Sequence, residues 1–139
     1  MSIGSKIILK TVCSGPDALA SKRLSELDHL MNTNLALANF KLKQFSDCIL
    51  YCNKALLRRK TLRQEILEKT LYRKAMSELE IGNLENSVQT CKDLLGCFPE
   101  NAAGAQLLQR LERELALESK AQRATYAKLF QKLEFSVNS

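Results

Sequence analysis

The sequence has no tryptophan, one histidine, two prolines and five glycines in 139 residues, and aromatic residues make up only 6% of it. So little glycine and proline excludes a chain of many short strands and turns, and nothing in it alternates as strands do. Leu, Lys, Glu, Ala and Arg, all good helix formers, fill the space instead. A Gly-rich phosphate loop, a G-x-S-x-G elbow and a paired acid cluster are also missing. No catalytic chemistry can be assigned without such groups, so neither an enzyme nor a cofactor is expected. No stretch reaches the roughly 18 apolar residues of a membrane span. The amino-terminal MSIGSKIILKTVCSG holds only IIL as an apolar run, too short for a secretory core. The expectation is a cytoplasmic protein, with the nucleus as a second compartment.

Five cysteines are present: Cys13, Cys48, Cys52, Cys91 and Cys97. The number is odd and no C-x-x-C occurs. Cys48 and Cys52 stand one helical turn apart without the His or Cys partners a zinc site needs, and His29 is far from them in sequence. The cysteines read as small core residues of a reducing compartment, with no metal.

Hydrophobic residues make up 45% of the chain, enough for the core of one domain over 1–139. The net charge is +6 and the pI about 9.2. That balance suits nucleic acid, an anionic membrane surface or an acidic peptide, and does not choose among them.

Periodicity lays out the elements. Residues 4–13, GSKIILKTVC, read as a short amphipathic helix that SGPD at 14–17 ends. From about Asp17 to Lys43, Leu24, Leu27, Met31, Leu35, Ala38 and Leu42 recur at threes and fours, the spacing of one helix face. KQFS at 43–46 is a tight break. A helix from about Ser46 to Arg58 follows, with Cys48, Ile49, Cys52, Ala55 and Leu56 on one face. RRKTLRQ at 58–64 is a basic junction, either a loop or a prolongation of one helix. Helices are expected again over Ile66–Ile81 and Glu85–Cys97, joined by GNL at 82–84. Pro99 stops the chain and Asn101 can cap a last helix over about 102–133. Its apolar residues are Leu107, Leu108, Leu111 and Leu115, then Tyr126, Leu129, Phe130 and Leu133.

Two blocks overlay. NLALANFKLKQFSDCILYCNKAL starts at Asn34 and RKAMSELEIGNLENSVQTCKDLL at Arg73, an offset of 39 residues. Ala36 falls on Ala75, Phe45 on Leu84, Cys48 on Ser87, Cys52 on Cys91 and Leu56 on Leu95. Two helix–turn–helix units with matching small and large positions are an internal repeat.

The pattern resembles the tetratricopeptide repeat, whose period is about 34 residues. The extra residues would lie in the basic junction. Ala36 and Ala75 match the small residue that lets the two helices of a unit approach, and Pro99 matches the motif's closing proline. The first unit has Lys60 there, a departure. The resemblance implies an all-α fold of antiparallel helix-pair repeats: a remnant of a first repeat at 4–13, a second repeat at 17–60, a third at 64–99 and a long capping helix at 101–135. Such pairs stack because none can bury its own apolar face, and their first helices line a concave surface.

NLALANFKLKQFSDCILYCNKAL, followed by KTLYRKA, further resembles the repeat domain of the large FKBP-type immunophilins and related co-chaperones, which carry N-L-A and K-x-x-x-R at the corresponding places. RATYAKLFQKL at 123–133 is similar to that family's last helix. The likeness covers about residues 30–133. It implies a groove with a carboxylate clamp for the acidic tail, ending Glu-Glu-Val-Asp, of the major cytosolic heat-shock chaperones. Carried over by position, the clamp residues are Asn34, Lys69 and Arg73. Their chemistry agrees. Lys69 and Arg73 stand at i and i+4 on one helix face. An Arg fork takes a carboxylate bidentately, a Lys adds a mobile charge, and an Asn amide donates to a terminal carboxylate. The family's full clamp also takes a lysine and an asparagine from the first helix of the first repeat. This chain is expected to begin near the second helix of that repeat, as a fragment or a shortened array, and so to carry a half-clamp. No isomerase domain is expected within it.

Other readings remain open at this point. A scaffold could dock a folded client, a kinase or a receptor, without holding a chaperone tail. The segment 54–74 is basic enough for nucleic acid, but Tyr72 is its only aromatic, so base stacking is poorly served. Arg123, Lys128 and Lys132 flank the apolar residues of the last helix, the pattern of a calmodulin target, although packing inward as a cap is the commoner reason for such a stripe. An uncovered first helix would leave an apolar face for a second copy, a homodimer.

Overall fold

The computed structural model describes residues 16–138, and every regular element in that range is helical. The five α-helices are α1 (Pro16–Lys41), α2 (Phe45–Leu56), α3 (Gln64–Glu80), α4 (Leu84–Cys97) and α5 (Ala102–Asn138), with a 3-10 turn at Arg59–Thr61 between α2 and α3. Consecutive helices pack on one another, and α1 also touches α3. The fold is an all-α array of antiparallel helix pairs with a long terminal helix. The expected helix at 4–13 lies outside the described residues.

The two hairpins close alike. Lys43 has φ 60° and Gly82 has φ 83°, the left-handed conformation in which helices commonly end. Behind each, a pair of backbone bonds seals the last turn. Lys43 N donates to Phe40 O and Gln44 N to Asn39 O; Gly82 N donates to Leu79 O and Asn83 N to Glu78 O. The repeat seen in the sequence is therefore also a repeat of backbone closure. Only the second copy has the glycine that adopts this φ without a Cβ penalty.

Small residues sit where the paired helices cross. Ala36, Cys48 and Cys52 form one buried cluster, with Phe40 and Tyr51 packed against it. Ala75, Leu79, Leu84, Val88 and Cys91 are buried with Leu107 and Leu111 of α5. Between these, Ala55, Leu62, Leu67, Leu71 and Leu94 join α2, the junction, α3 and α4. The Ser87 hydroxyl donates to Ala75 O at 2.6 Å, so even the polar small residue is satisfied inside the α3–α4 crossing. Gly104 brings α5 in close: a Cβ there would meet Leu94 Cδ2 at 2.8 Å.

The basic junction is a turn and not a prolonged helix. Arg59 reaches over α4 with a two-pronged ion pair, Nη1 to Asp93 Oδ2 at 2.8 Å and Nη2 to Asp93 Oδ1 at 2.9 Å. That partner holds the Asp93 carboxyl below the usual carboxylate range.

Two expectations are corrected, and the structure adds which face of α1 packs. The periodic residues Leu24, Leu27, Met31 and Leu35 of α1, and Leu42 just beyond it, are exposed, Leu24 at 66% and Met31 at 60%. The face that packs carries His29, Thr33 and Ala36 instead. The cap packs inward only over its first part. Leu107 and Leu111 are buried, Leu108 and Leu115 half-buried, and every described side chain from 116 to 137 is exposed, including Tyr126, Leu129, Phe130 and Leu133. The cause is length, since α5 outruns the body it leans on. Finally, Cys48, Cys52 and Cys91 are buried free thiols, but Cys97 is exposed; Cys13 lies outside the described residues.

Candidate functional site

The first helices of the two pairs, α1 and α3, wall a groove of about 480 Å³ with the start of α5. Leu37, Phe40 and Lys41 come from α1, and Glu68, Lys69, Tyr72 and Arg73 from α3. Asn101 and Ala103 close one end. The i and i+4 spacing does what it should: Lys69 and Arg73 both line the groove, one turn apart. Lys69 is exposed and Arg73 half-buried. Arg73 also acts inward. The Cys52 thiol, 4.0 Å from Cys48, is the main influence that pulls the Cys48 pKa down to about 7 against burial, and the Arg73 cation adds to it, while Cys52 is itself pushed up.

Asn34 lies on α1 one turn before Leu37, exposed, and is not among the groove's lining residues. The structure thus brings Lys69 and Arg73 together and leaves Asn34 at the approach. It also supplies groove residues that the sequence reading did not single out. Lys41 adds a third cation, and Phe40 and Tyr72 give apolar walls. Their signal in the sequence was available, as positions on the same faces as Leu37 and Lys69.

Glu68 is the complication. It is the one carboxylate in this lining, beside Lys69, and it competes for the cations. Its restraint comes from 33 residues away: Asn101 Nδ2 donates to Glu68 Oε2 at 2.8 Å. The same Asn101 caps α5, its Oδ1 accepting from Gly104 N at 2.6 Å. With three cations against one restrained carboxylate, the groove is suited to a peptide carrying several carboxylates and an apolar side chain.

Among the described residues no group of three or more His, Cys, Asp or Glu side chains converges as metal ligands would. No described helix is long and apolar enough to cross a membrane.

No protein-family model matches the chain. Two relatives do. The chain is 34% identical over 124 residues to peptidyl-prolyl cis-trans isomerase FKBP4 of Homo sapiens, and 33% identical over 124 residues to the Bos taurus protein of the same name. Each match covers 86% of this chain but only 24% of the relative. The chain therefore spans about a quarter of the length of the relatives it matches.

Proposed function

We propose that this chain is a protein-interaction adaptor of the immunophilin co-chaperone kind, whose groove holds an acidic carboxy-terminal chaperone tail. In this reading 17–60 and 64–99 are successive tetratricopeptide units and 101–135 is the terminal helix. Lys69 and Arg73 hold carboxylates, Lys41 adds long-range attraction, Leu37, Phe40 and Tyr72 receive an apolar side chain, and Asn34 meets the tail where it leaves the groove. The observation that carries the reading is the joint placement of Lys69 and Arg73 in one apolar-walled groove, on a chain similar to an immunophilin over 86% of its own length. In this reading the chain acts by binding and not by catalysis; its described regular elements are all helical, and it matches a quarter of an isomerase.

The exposed apolar stripe of α1 favours a second reading, a scaffold that docks a folded client such as a kinase or receptor. A second copy of the chain could cover the same stripe. The exposed basic, apolar end of α5 supports calmodulin as a partner for that surface.

Calorimetric titration with a short peptide ending Glu-Glu-Val-Asp separates these. Binding in the micromolar range is expected, weakening as salt rises. Lys69→Ala and Arg73→Ala should each lose about 1.5–3 kcal/mol, roughly tenfold or more in Kd, with circular dichroism unchanged. Glu68→Gln should tighten binding, because it removes the competing charge and keeps an acceptor for Asn101. Heat-free mixing at several hundred micromolar would discard the tail and leave the client-docking scaffold.

A further inference from the structure

Cys48 and Cys52 lie one turn apart on the buried face of α2, their sulfurs 4.0 Å from each other. Neither side chain is exposed, and Ala36, Phe40 and Tyr51 pack around the pair. Two groups of α3 face it. Arg73 places its cation near enough to act on both thiols. Ser77 lies beside Cys48 and influences its thiol, yet the Ser77 hydroxyl is fully buried with no hydrogen-bond partner among the described residues. Leaving a buried hydroxyl without an acceptor is costly. A neutral thiol is a poor acceptor for it, and a thiolate a good one. Two familiar uses of paired cysteines do not fit. A disulfide needs Cβ atoms about 3.8 Å apart, and neighbours one turn apart on an intact helix hold theirs at about 5–6 Å. Structural zinc takes four ligands, and here there are two thiols.

We infer that Cys48 and Cys52 form a two-coordinate site for a monovalent thiophilic metal ion, Cu(I) in chemical class. Thiolate sulfur is the ligand that selects such soft ions. Two metal–thiolate bonds of about 2.3 Å span up to about 4.6 Å. The 4.0 Å gap therefore takes the ion with a bent angle at the metal or a slight parting of the sulfurs. Loading is a proton exchange: each thiol releases one proton as its sulfur bonds the ion, and no electron moves. The charges close as well. Two thiolates and one monovalent ion carry a single net negative charge, which the Arg73 cation offsets. The Ser77 hydroxyl gains a thiolate to donate to, the supporting contact that metal ligands ordinarily have. Because both sulfurs are buried, the ion enters by a local opening of the α2–α3 crossing and is then screened from water.

The test is an anaerobic titration of the full chain with Cu(I) in competition with bicinchoninate, whose coloured complex reports the ion the protein has not taken. The starting protein carries Cys13→Ser and Cys97→Ser, which leaves the pair and Cys91. One ion per chain is expected, and X-ray absorption at the copper edge should count two sulfur neighbours. Adding Cys48→Ala or Cys52→Ala should cost more than the roughly 10–100-fold in affinity that loss of a supporting group costs. Ser77→Ala should cost about tenfold. Cys91→Ala and Lys69→Ala should cost nothing. Circular dichroism checks that each variant is folded, and the sulfur count needs no change at the pair. The proposal falls if the starting protein leaves all the copper with the chelator. It falls equally if the copper edge shows three sulfurs or nitrogen and oxygen neighbours, or if Cys91→Ala loses the ion as Cys48→Ala does. Failure of a chaperone peptide to bind the groove would not touch it.

Discussion

Glu78 shows how a single residue sets a pH dependence that no surface charge would. Its carboxyl is buried under α4 and accepts the Thr90 hydroxyl at 2.5 Å. Burial pushes its pKa up, and the Thr90 hydrogen bond and the Lys74 cation only partly offset that. A carboxyl raised in the fold contributes stability that is fully present below the unfolded value and lost as pH rises through the folded one. Glu78→Gln keeps the acceptor for Thr90 and removes the charge. Its melting temperature should exceed that of the wild type at neutral pH, and the gap should close in mild acid; thermal melts at the two pH values check it. Residues of this kind are poorly legible in sequence. Lys69 and Arg73 were legible because their spacing along one helix is local. Glu78 with Thr90, and Glu68 with Asn101, meet only after the chain has turned back, so nothing near them in sequence marks the pair.

Helices were easier to read than the faces they bury. The ends of α1 to α4 fall within about two residues of their expected positions, because caps, the Gly82 turn and Pro99 are local signals. On α1 the apolar spacing located the helix but did not mark the side that packs, which the small residue Ala36 marked instead. Leu24 and Met31 face out, while the packed side holds Thr33, whose hydroxyl bonds Leu30 O, and Ala36 at 1% exposure. Close helix crossings select for small residues, and small residues carry little weight in a hydrophobic pattern. The assignment is testable by contrast. Met31→Gln should change stability by no more than about 0.5 kcal/mol. Ala36→Leu should overpack the α1–α2 crossing and cost about 1–3 kcal/mol. Chemical denaturation of the two variants reads both.

The molecule as a whole is a short body with a long spar. At 1.5 Å per residue, the part of α5 beyond Ala116 projects roughly 35 Å without tertiary support from the described residues. An unsupported helix is held by little more than its own marginal propensity. Limited trypsin digestion should therefore cut first at Lys120, Arg123 or Lys128, and leave the body from α1 to the middle of α5 intact; mass spectrometry of the first fragments decides it. The sequence placed this helix and named its apolar residues, but not the missing support, which depends on how much body α1 to α4 supply. Asn101 stands at the spar's foot with one hand on each part. Its amide nitrogen holds Glu68 in the groove and its oxygen holds the first turn of α5. A tail that displaces Glu68 takes one of those two attachments away. Groove occupancy and the order of the α5 start are then thermodynamically linked, and the linkage is reciprocal: whatever grips the spar must alter the affinity of the groove by the same factor.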